Sequence, residues 1–185
     1  MSNRGYIMTE EERLELVSWV HTMIPKMRVL PQKRSDFIME SDNKDIHPLV
    51  WEIKKRVIEK EGLENLEKYE EPCFKDFLGV VYKGGYIHRH RDPNKGDLYH
   101  CRFNVFMQLP DKGGQTYYNG VPIQSVEGCY VLCLSGIEYH YSDVIESDKE
   151  RFSLSFGFLL PKPVIGHLIS KRPMGGKLKK WSNKI

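Results

Sequence analysis

His90, Asp92 and His140, followed by Arg151 and Ser153, are side chains that could bind a metal and an anion together. Two imidazoles and one carboxylate on one face of a metal leave the opposite positions open, the arrangement by which non-haem Fe(II) centres take up oxygen and a co-substrate. On a strand, residues two apart share a face, so a strand over 86–91 would turn His90 and Asp92 to one side. His88 lies on that face too. Within Tyr82-Lys-Gly-Gly-Tyr-Ile-His-Arg-His-Arg-Asp92 the spacing favours His90, since only this histidine stands beside an aspartate, and His88 becomes an outer-sphere or substrate-side group. His140 follows a β-rich run and the Ser135-Gly136 turn, which lets it project from a later strand toward the first pair. In Arg151-Phe-Ser-Leu-Ser-Phe-Gly-Phe the alternation sets Arg151, Ser153 and Ser155 against Phe152, Leu154 and Phe156. A buried guanidinium needs an anion, and its fork matches a carboxylate. A bound dicarboxylate meets that need; the alternative is a structural ion pair of Arg151 with Glu127 or Glu138.

The elements that must position these groups follow from periodicity. Thr9-Glu-Glu-Glu12 is a capping box, and Leu14, Val17, Val20, Met23 and Ile24 recur at helical spacing, predicting a helix over about 9–24. Asp45 and Pro48 ahead of Leu49, Val50, Ile53, Val57 and Ile58 announce a second helix that Gly62 can end. Trp19 and Trp51 are read as filling the helix–sheet interface. From residue 74 onward the texture changes to short β-rich runs: 74–82, 86–91, 101–109, 115–118, 121–124, 129–134, 138–142 and 151–160, separated by Gly, Pro, Asn and Asp. Eight short strands after two helices predict a mainly β chain, a double-stranded β-helix (jelly roll, cupin-like) packed on two N-terminal helices.

At 185 residues the chain has the size of one domain. The expected layout is a helical layer over about 9–62, the jelly roll over about 74–161 and a basic C-terminal extension over 162–185. That extension holds seven of the 28 Lys/Arg and none of the 25 Asp/Glu, so the formal charge of +3 splits into a tail of +7 and a remainder of −4. A basic tail can touch phosphate, but here it is read as a solubilising terminus. Cys73, Cys101, Cys129 and Cys133 show neither a CxxC pair nor a framework and are expected to be reduced and buried. No apolar stretch is long enough for a membrane span, and a cytoplasmic enzyme is the expectation.

The chain resembles the 2-oxoglutarate/Fe(II)-dependent dioxygenases, in their prolyl-hydroxylase-like branch. Tyr82 and Gly85 leading into His90 and Asp92, the run Leu-Pro-Asp-Lys-Gly-Gly-Gln-Thr over 109–116 and the Glu127-Gly128 turn carry the likeness, which covers roughly 74–161. The resemblance implies that His90, Asp92 and His140 bind Fe(II), that Arg151 and Ser153 hold the distal carboxylate of 2-oxoglutarate, and that O2 is consumed, with ascorbate as a stimulant. The presence of Asp92 implies hydroxylation rather than halogenation. Where many members of the branch have a tyrosine that contacts the co-substrate, this chain has Gln108, with Asn104 and Tyr99 as further candidates for that contact.

The substrate is less legible. Tyr86, His88, Arg102, Tyr117 and Glu138 are candidate lining groups, joined by Arg89, Arg91, Tyr118 and Asn119, an inventory suited to a polar or anionic partner. Tyr117 and Tyr118 cannot both face a pocket. The first expectation is hydroxylation of a free amino acid or similar small metabolite. Hydroxylation of a protein side chain is the second, with oxidative nucleic-acid demethylation and a non-enzymatic jelly-roll binding protein as further alternatives. Neither a membrane nor a nucleic acid is expected as a partner, and oligomeric state is left open.

Overall fold

The computed structural model describes residues 3–63, 69–72 and 75–171. Strand β1 (Asn3–Tyr6) precedes helix α1 (Glu10–Met23), a 3-10 turn, strands β2 (Arg28–Leu30) and β3 (Arg34–Met39), and helix α2 (Pro48–Glu61). Strands β4 (Asp76–Val81), β5 (Leu98–Gln108), β6 (Thr116–Tyr118), β7 (Val121–Pro122), β8 (Cys129–Cys133), β9 (His140–Ser142) and β10 (Arg151–Pro161) follow, and helix α3 (Lys162–Ser170) comes last.

Both predicted helices start as their sequences dictate. The Thr9 hydroxyl accepts from Glu12 N while the Glu12 carboxylate accepts from Thr9 N, the reciprocal box that removes two orphan donors. Helix α2 begins with Pro48 at its first position and is capped by His47, whose Nδ1 accepts from Leu49 N; Gly62 at φ +65° closes it. One stripe of each helix is apolar, and Leu16, Val20, Met23, Val50, Ile53 and Val57 pack on the large sheet. Trp19 joins that layer with its indole N–H donating to the Asp45 carbonyl, and Trp51 packs against it.

Among the described residues ten strands form two antiparallel sheets, a seven-stranded one in the order β1-β8-β5-β10-β4-β3-β2 and a three-stranded one in the order β7-β6-β9. This is the predicted mainly β jelly roll on a helical layer. Alternation divides the large sheet into two faces. Phe103, Val105, Leu78, Val80, Phe152, Leu154, Phe156 and Phe158 meet the helices. Phe106, Val131 and Cys133 meet Tyr118 and Ile123 of the small-sheet side in a second apolar cluster. The site lies on this second face, between the sheets.

Three strands and a helix go beyond the predicted set. β1 adds to β8 at one edge, while β2 and β3 extend the other edge beyond β4. The extension expected to be a solubilising tail starts as α3, with Ile165 and Leu168 buried in the core; residues 172–185 lie outside the described residues, as does Cys73. Cys101, Cys129 and Cys133 are buried and form no disulfide. No helix among the described residues is long and apolar enough to cross a membrane.

Candidate active site

The strand expected over 86–91 is absent. Residues 86–92 run in irregular extended chain, and His90 pairs with His140 in a single bridge, His90 N donating to His140 O at 3.2 Å and His140 N to His90 O at 2.9 Å. The two histidines therefore meet through backbone pairing rather than through strand alternation. Asp92 is placed separately, its N–H donating to the Ser135 carbonyl at 2.8 Å. Asn94 then ties the segment to its neighbours: its Nδ2 donates to Gly136 O at 3.1 Å and its Oδ1 accepts from His100 N at 3.0 Å. A Cβ on Gly136 would sit 1.8 Å from Asn94 Oδ1, so only glycine allows this approach.

His90, Asp92 and His140 each offer a ligand atom, and the three atoms lie within 4.8 Å of one another. Nε2 of His90 is 3.5 Å and Nε2 of His140 4.0 Å from Asp92 Oδ1. The other ring nitrogens face carbonyls: Nδ1 of His90 is 2.8 Å from His88 O and Nδ1 of His140 is 3.4 Å from Glu138 O. An Nδ1–H held by a carbonyl fixes the tautomer whose Nε2 lone pair is free for a metal. The donor set fits Fe(II) or a similar divalent cation.

Electrostatics keep Asp92 and His140 in their ligating forms. Burial opposes ionisation of Asp92, yet His90, His140, His100 and Arg102 outweigh it and hold the carboxyl well below its ordinary range. Burial and the nearby His90 push His140 down to about 4, so it is neutral at physiological pH. His90 is shifted the other way, up, chiefly by its hydrogen bond to Asp92. The second carboxylate oxygen of Asp92 faces His100 Nδ1 at 3.4 Å and Arg102 Nε at 3.7 Å. Arg102 is itself buried, donating to Lys75 O and Ser155 Oγ and packing over the Phe77 ring and against Gly157. It thus supports Asp92 at its far oxygen.

Arg151 is 3% exposed, and its Nη1 has only long contacts, to Gly114 O at 3.4 Å and Thr116 Oγ1 at 3.3 Å. Burial lowers its pKa to about 10. Among the described residues it forms no ion pair: Glu127 is engaged by Arg13 and Lys149, and a Glu138 oxygen accepts from Leu134 N. The structural ion pair weighed above is therefore not made. Ser153 and Asn104 lie on the same interior face through the register of β10 with β4 and β5. Tyr118, opposite His140 in the β6–β9 pair, is buried and hydrogen-bonded by Asn104 at 3.4 Å.

Other candidates lie elsewhere. Gln108 donates to Glu150 O at 3.0 Å at the start of β10, and Tyr99 packs against the helical-layer core, on the opposite face of β5. The placement of Tyr99 runs against a co-substrate contact, while the Gln108 bond engages one N–H of its amide. His88 is exposed and stacked on His90 with ring centroids 4.6 Å apart, and Tyr86 is 38% exposed. Tyr117 turns outward, stacked on Tyr141 and donating to Asp143, while Tyr118 takes the inward position. Thr116 and His100 were missed by the sequence reading; strand register marks Thr116, whereas no sequence signal marks His100. A cleft of about 470 Å³ lined by Arg91, Asp92, Asn94, Gly136 and Tyr139 reaches Asp92 from the surface. At its rim the guanidinium carbons of Arg89 and Arg91 stand 4.0 and 4.5 Å from the Tyr139 ring centroid.

No family model and no curated protein sequence matches the chain. Solved structures do. A Pseudomonas putida prolyl-4-hydroxylase is 16% identical with a TM-score of 0.63, covering 86% of this chain and 91% of that one. The viral collagen prolyl hydroxylase of Paramecium Bursaria Chlorella virus-1, in its 2-oxoglutarate complex, is 13% identical with a TM-score of 0.60, over 85% and 94%. HygX from Streptomyces hygroscopicus, with nickel and 2-oxoglutarate bound, is 9% identical with a TM-score of 0.63, over 85% and 82%. The backbone of this chain therefore has the jelly-roll fold that those hydroxylases and HygX share.

Proposed function

We propose that this chain is an Fe(II)/2-oxoglutarate-dependent dioxygenase that hydroxylates a C–H bond of a free amino acid or similar small polar metabolite. The observation that carries the reading is a His-Asp-His cluster on the same inner face as a buried guanidinium that no acid of the described residues neutralises. The donor set also fits on chemical grounds, with two Nε2 lone pairs freed by carbonyl-bound Nδ1 atoms and a carboxylate held ionised.

Fe(II) with 2-oxoglutarate would supply oxidative decarboxylation to succinate and carbon dioxide, coupled to insertion of oxygen into the substrate C–H bond. Nε2 of His90, Nε2 of His140 and Asp92 would hold the metal. Arg151 would pair with the distal carboxylate of the co-substrate, with Ser153 and the Thr116 hydroxyl as neutral donors beside it. His100 and Arg102 keep Asp92 oriented from its far oxygen. Phe106, Val131 and Cys133 wall the interior and exclude water. The cleft of about 470 Å³ is within the range of small-molecule sites.

A peptide side chain as substrate is the second reading, favoured by the prolyl hydroxylases among the structures of like fold. Both readings meet one assay: succinate release by the Fe(II)-loaded protein with free amino acids and with short capped peptides. Stimulation by free amino acids and not by peptides is the expected result. Succinate release that no compound stimulates, or that survives in His90→Ala, counts against the reading.

A further inference from the structure

A second guanidinium faces the same space as Arg151. In the large sheet Arg34 pairs with Val81, and Val81 pairs in turn with Arg151. Residues directly opposite in an antiparallel ladder share a face, so Arg34, Val81 and Arg151 lie in one row on the inner side, with the outer two separated by two strand spacings of about 4.8 Å each. Arg34 is on the edge side of this row, beside a turn bonded to Tyr82 and Tyr86 ahead of His88 and His90, and its charge acts on His88 and His90 as well as on Arg151.

Its own needs are poorly met. Arg34 is half-buried, and its hydrogen bonds stay within its own turn, to Pro31 O and Gln32 Oε1, each 3.3 Å long. Asp36, the acid two residues on, is taken by Arg28 in a bidentate pair at 3.0 and 2.7 Å. Among the described residues Arg34 makes no ion pair. Asp36 lies on the same face of β3 and its charge reaches Arg34, but its oxygens are held by Arg28, so a partly desolvated guanidinium is left with no carboxylate hydrogen-bonded to it and can take one from a ligand.

The turn that carries it is fixed in place. Gln32 and Lys33 adopt φ of +59° and +48°, and their carbonyls accept from Tyr86 N and Tyr82 N, clamping the β2–β3 turn onto the segment that leads to His88 and His90. A Cβ at Gly85 would meet Lys33 O at 2.6 Å and Gln32 O at 2.8 Å, so the clamp depends on glycine there. Two further cations, Arg89 and Arg91, flank Tyr139 at the rim of the cleft, with the carboxylate of Glu138, next to Tyr139 in the chain, engaged by Leu134 N.

Resting on the dioxygenase reading above, we infer that the substrate is an anion: it carries a carboxylate that Arg34 receives on the edge side of the site while Arg151 holds the co-substrate. The carboxylate can belong to a free acid or to an acidic residue of a peptide, and the test separates these.

Protein loaded with Mn(II) and saturated with 2-oxoglutarate is presented by ligand-observed NMR with L-aspartate, L-glutamate, L-asparagine, L-glutamine, L-lysine and hygromycin B. N-acetyl-Ala-Asp-Ala-amide and its asparagine counterpart form the peptide arm. The expected result is paramagnetic broadening of the acids and not of their amides or of the cations. Arg34→Gln should weaken acid binding at least about tenfold, the scale of a charged hydrogen bond, and Arg34→Lys should keep part of it, while both variants bind 2-oxoglutarate as the wild type does. Selection of the capped aspartyl peptide over free aspartate assigns the carboxylate to a peptide. Equal binding of acids and amides, preference for the cations, acid binding unchanged in Arg34→Gln, or no binding of any acid overturns the inference. If the Mn(II)-loaded wild type does not bind 2-oxoglutarate at all, it is the dioxygenase reading that fails.

Discussion

Replacing Arg151 with methionine should make the cofactor-free protein more stable and leave it unable to respond to 2-oxoglutarate. Burial lowers the guanidinium from its ordinary value by more than two units, to about 10. At 1.36 kcal/mol per unit that corresponds to about 3 kcal/mol spent on holding the charge inside the protein. Methionine keeps much of the packing volume and removes the charge, but Gly114 O and Thr116 Oγ1 lose their long hydrogen bonds from Nη1. Those bonds offset about 1 kcal/mol, leaving a gain of about 2 kcal/mol, or about 5 °C in Tm for a chain of this size. The assay is thermal unfolding in a carboxylate-free buffer, with and without Mn(II) and 2-oxoglutarate. At a hundredfold excess over Kd the co-substrate should stabilise the wild type by about 2.7 kcal/mol and the variant by nothing measurable. An Arg151→Met protein that melts several degrees below the wild type, or one that still gains stability from 2-oxoglutarate, refutes the reasoning, because the guanidinium would then be serving the fold.

Acid should destabilise the metal-free protein well before general acid unfolding. His100 and His140 are each pushed down to about 4, by burial first and then by Arg102 and His90 respectively. The unfolded chain takes up those protons near 6.5 while the folded chain stays neutral, so stability falls as the pH drops from about 6.5 toward 4. His90, shifted up, contributes in the opposite sense, with stability present below 6.5 and lost as the pH rises through its folded pKa. Two groups outweigh one, and denaturant titrations at pH 7 and pH 5 should show the net loss; equal stability at both would contradict it. Gly136→Ala drives a Cβ to within 1.8 Å of Asn94 Oδ1 and so displaces the clamp between Asp92 and β5. It should weaken Mn(II) binding by about tenfold or more, the scale of a lost outer-sphere support. Calorimetry showing unchanged Mn(II) affinity would show that the clamp is dispensable.

What the sequence made legible was regular structure with a strong local signal. The Thr9–Glu12 box and the helical spacing set α1, with Val20 and Met23 buried as read, although Leu14 is exposed and Leu16, outside the expected stripe, is buried; in β10 strict alternation correctly put Arg151, Ser153 and Ser155 on one side and the phenylalanines on the other. The edge strands were hidden because their stability comes from pairing across the chain. Asn-Arg-Gly-Tyr of β1 carries no strand pattern and forms by adding to β8, while β2 and β3 are rich in Arg, Ser and Asp and borrow order from β4. The route of 86–92 was misread for a related reason. Its histidines suggested a strand face, whereas its geometry is set by contacts with Gln32, Ser135 and His140, each distant in sequence. The position of Arg102 beside Asp92 and the alignment of Arg34 with Arg151 are likewise products of long-range register and leave no local trace.

The central claim is that a His90-Asp92-His140 metal centre and Arg151 act on one keto diacid. An anaerobic titration of the Fe(II)-loaded protein with 2-oxoglutarate tests it most directly, through the weak visible charge-transfer absorption of a keto acid chelated to ferrous iron. The account predicts saturable growth of that band in the wild type, a much weakened response in Arg151→Met, and no band in Asp92→Ala or His140→Ala. A wild-type protein that binds Fe(II) yet develops no band, or an Asp92→Ala protein that develops it undiminished, would contradict the account.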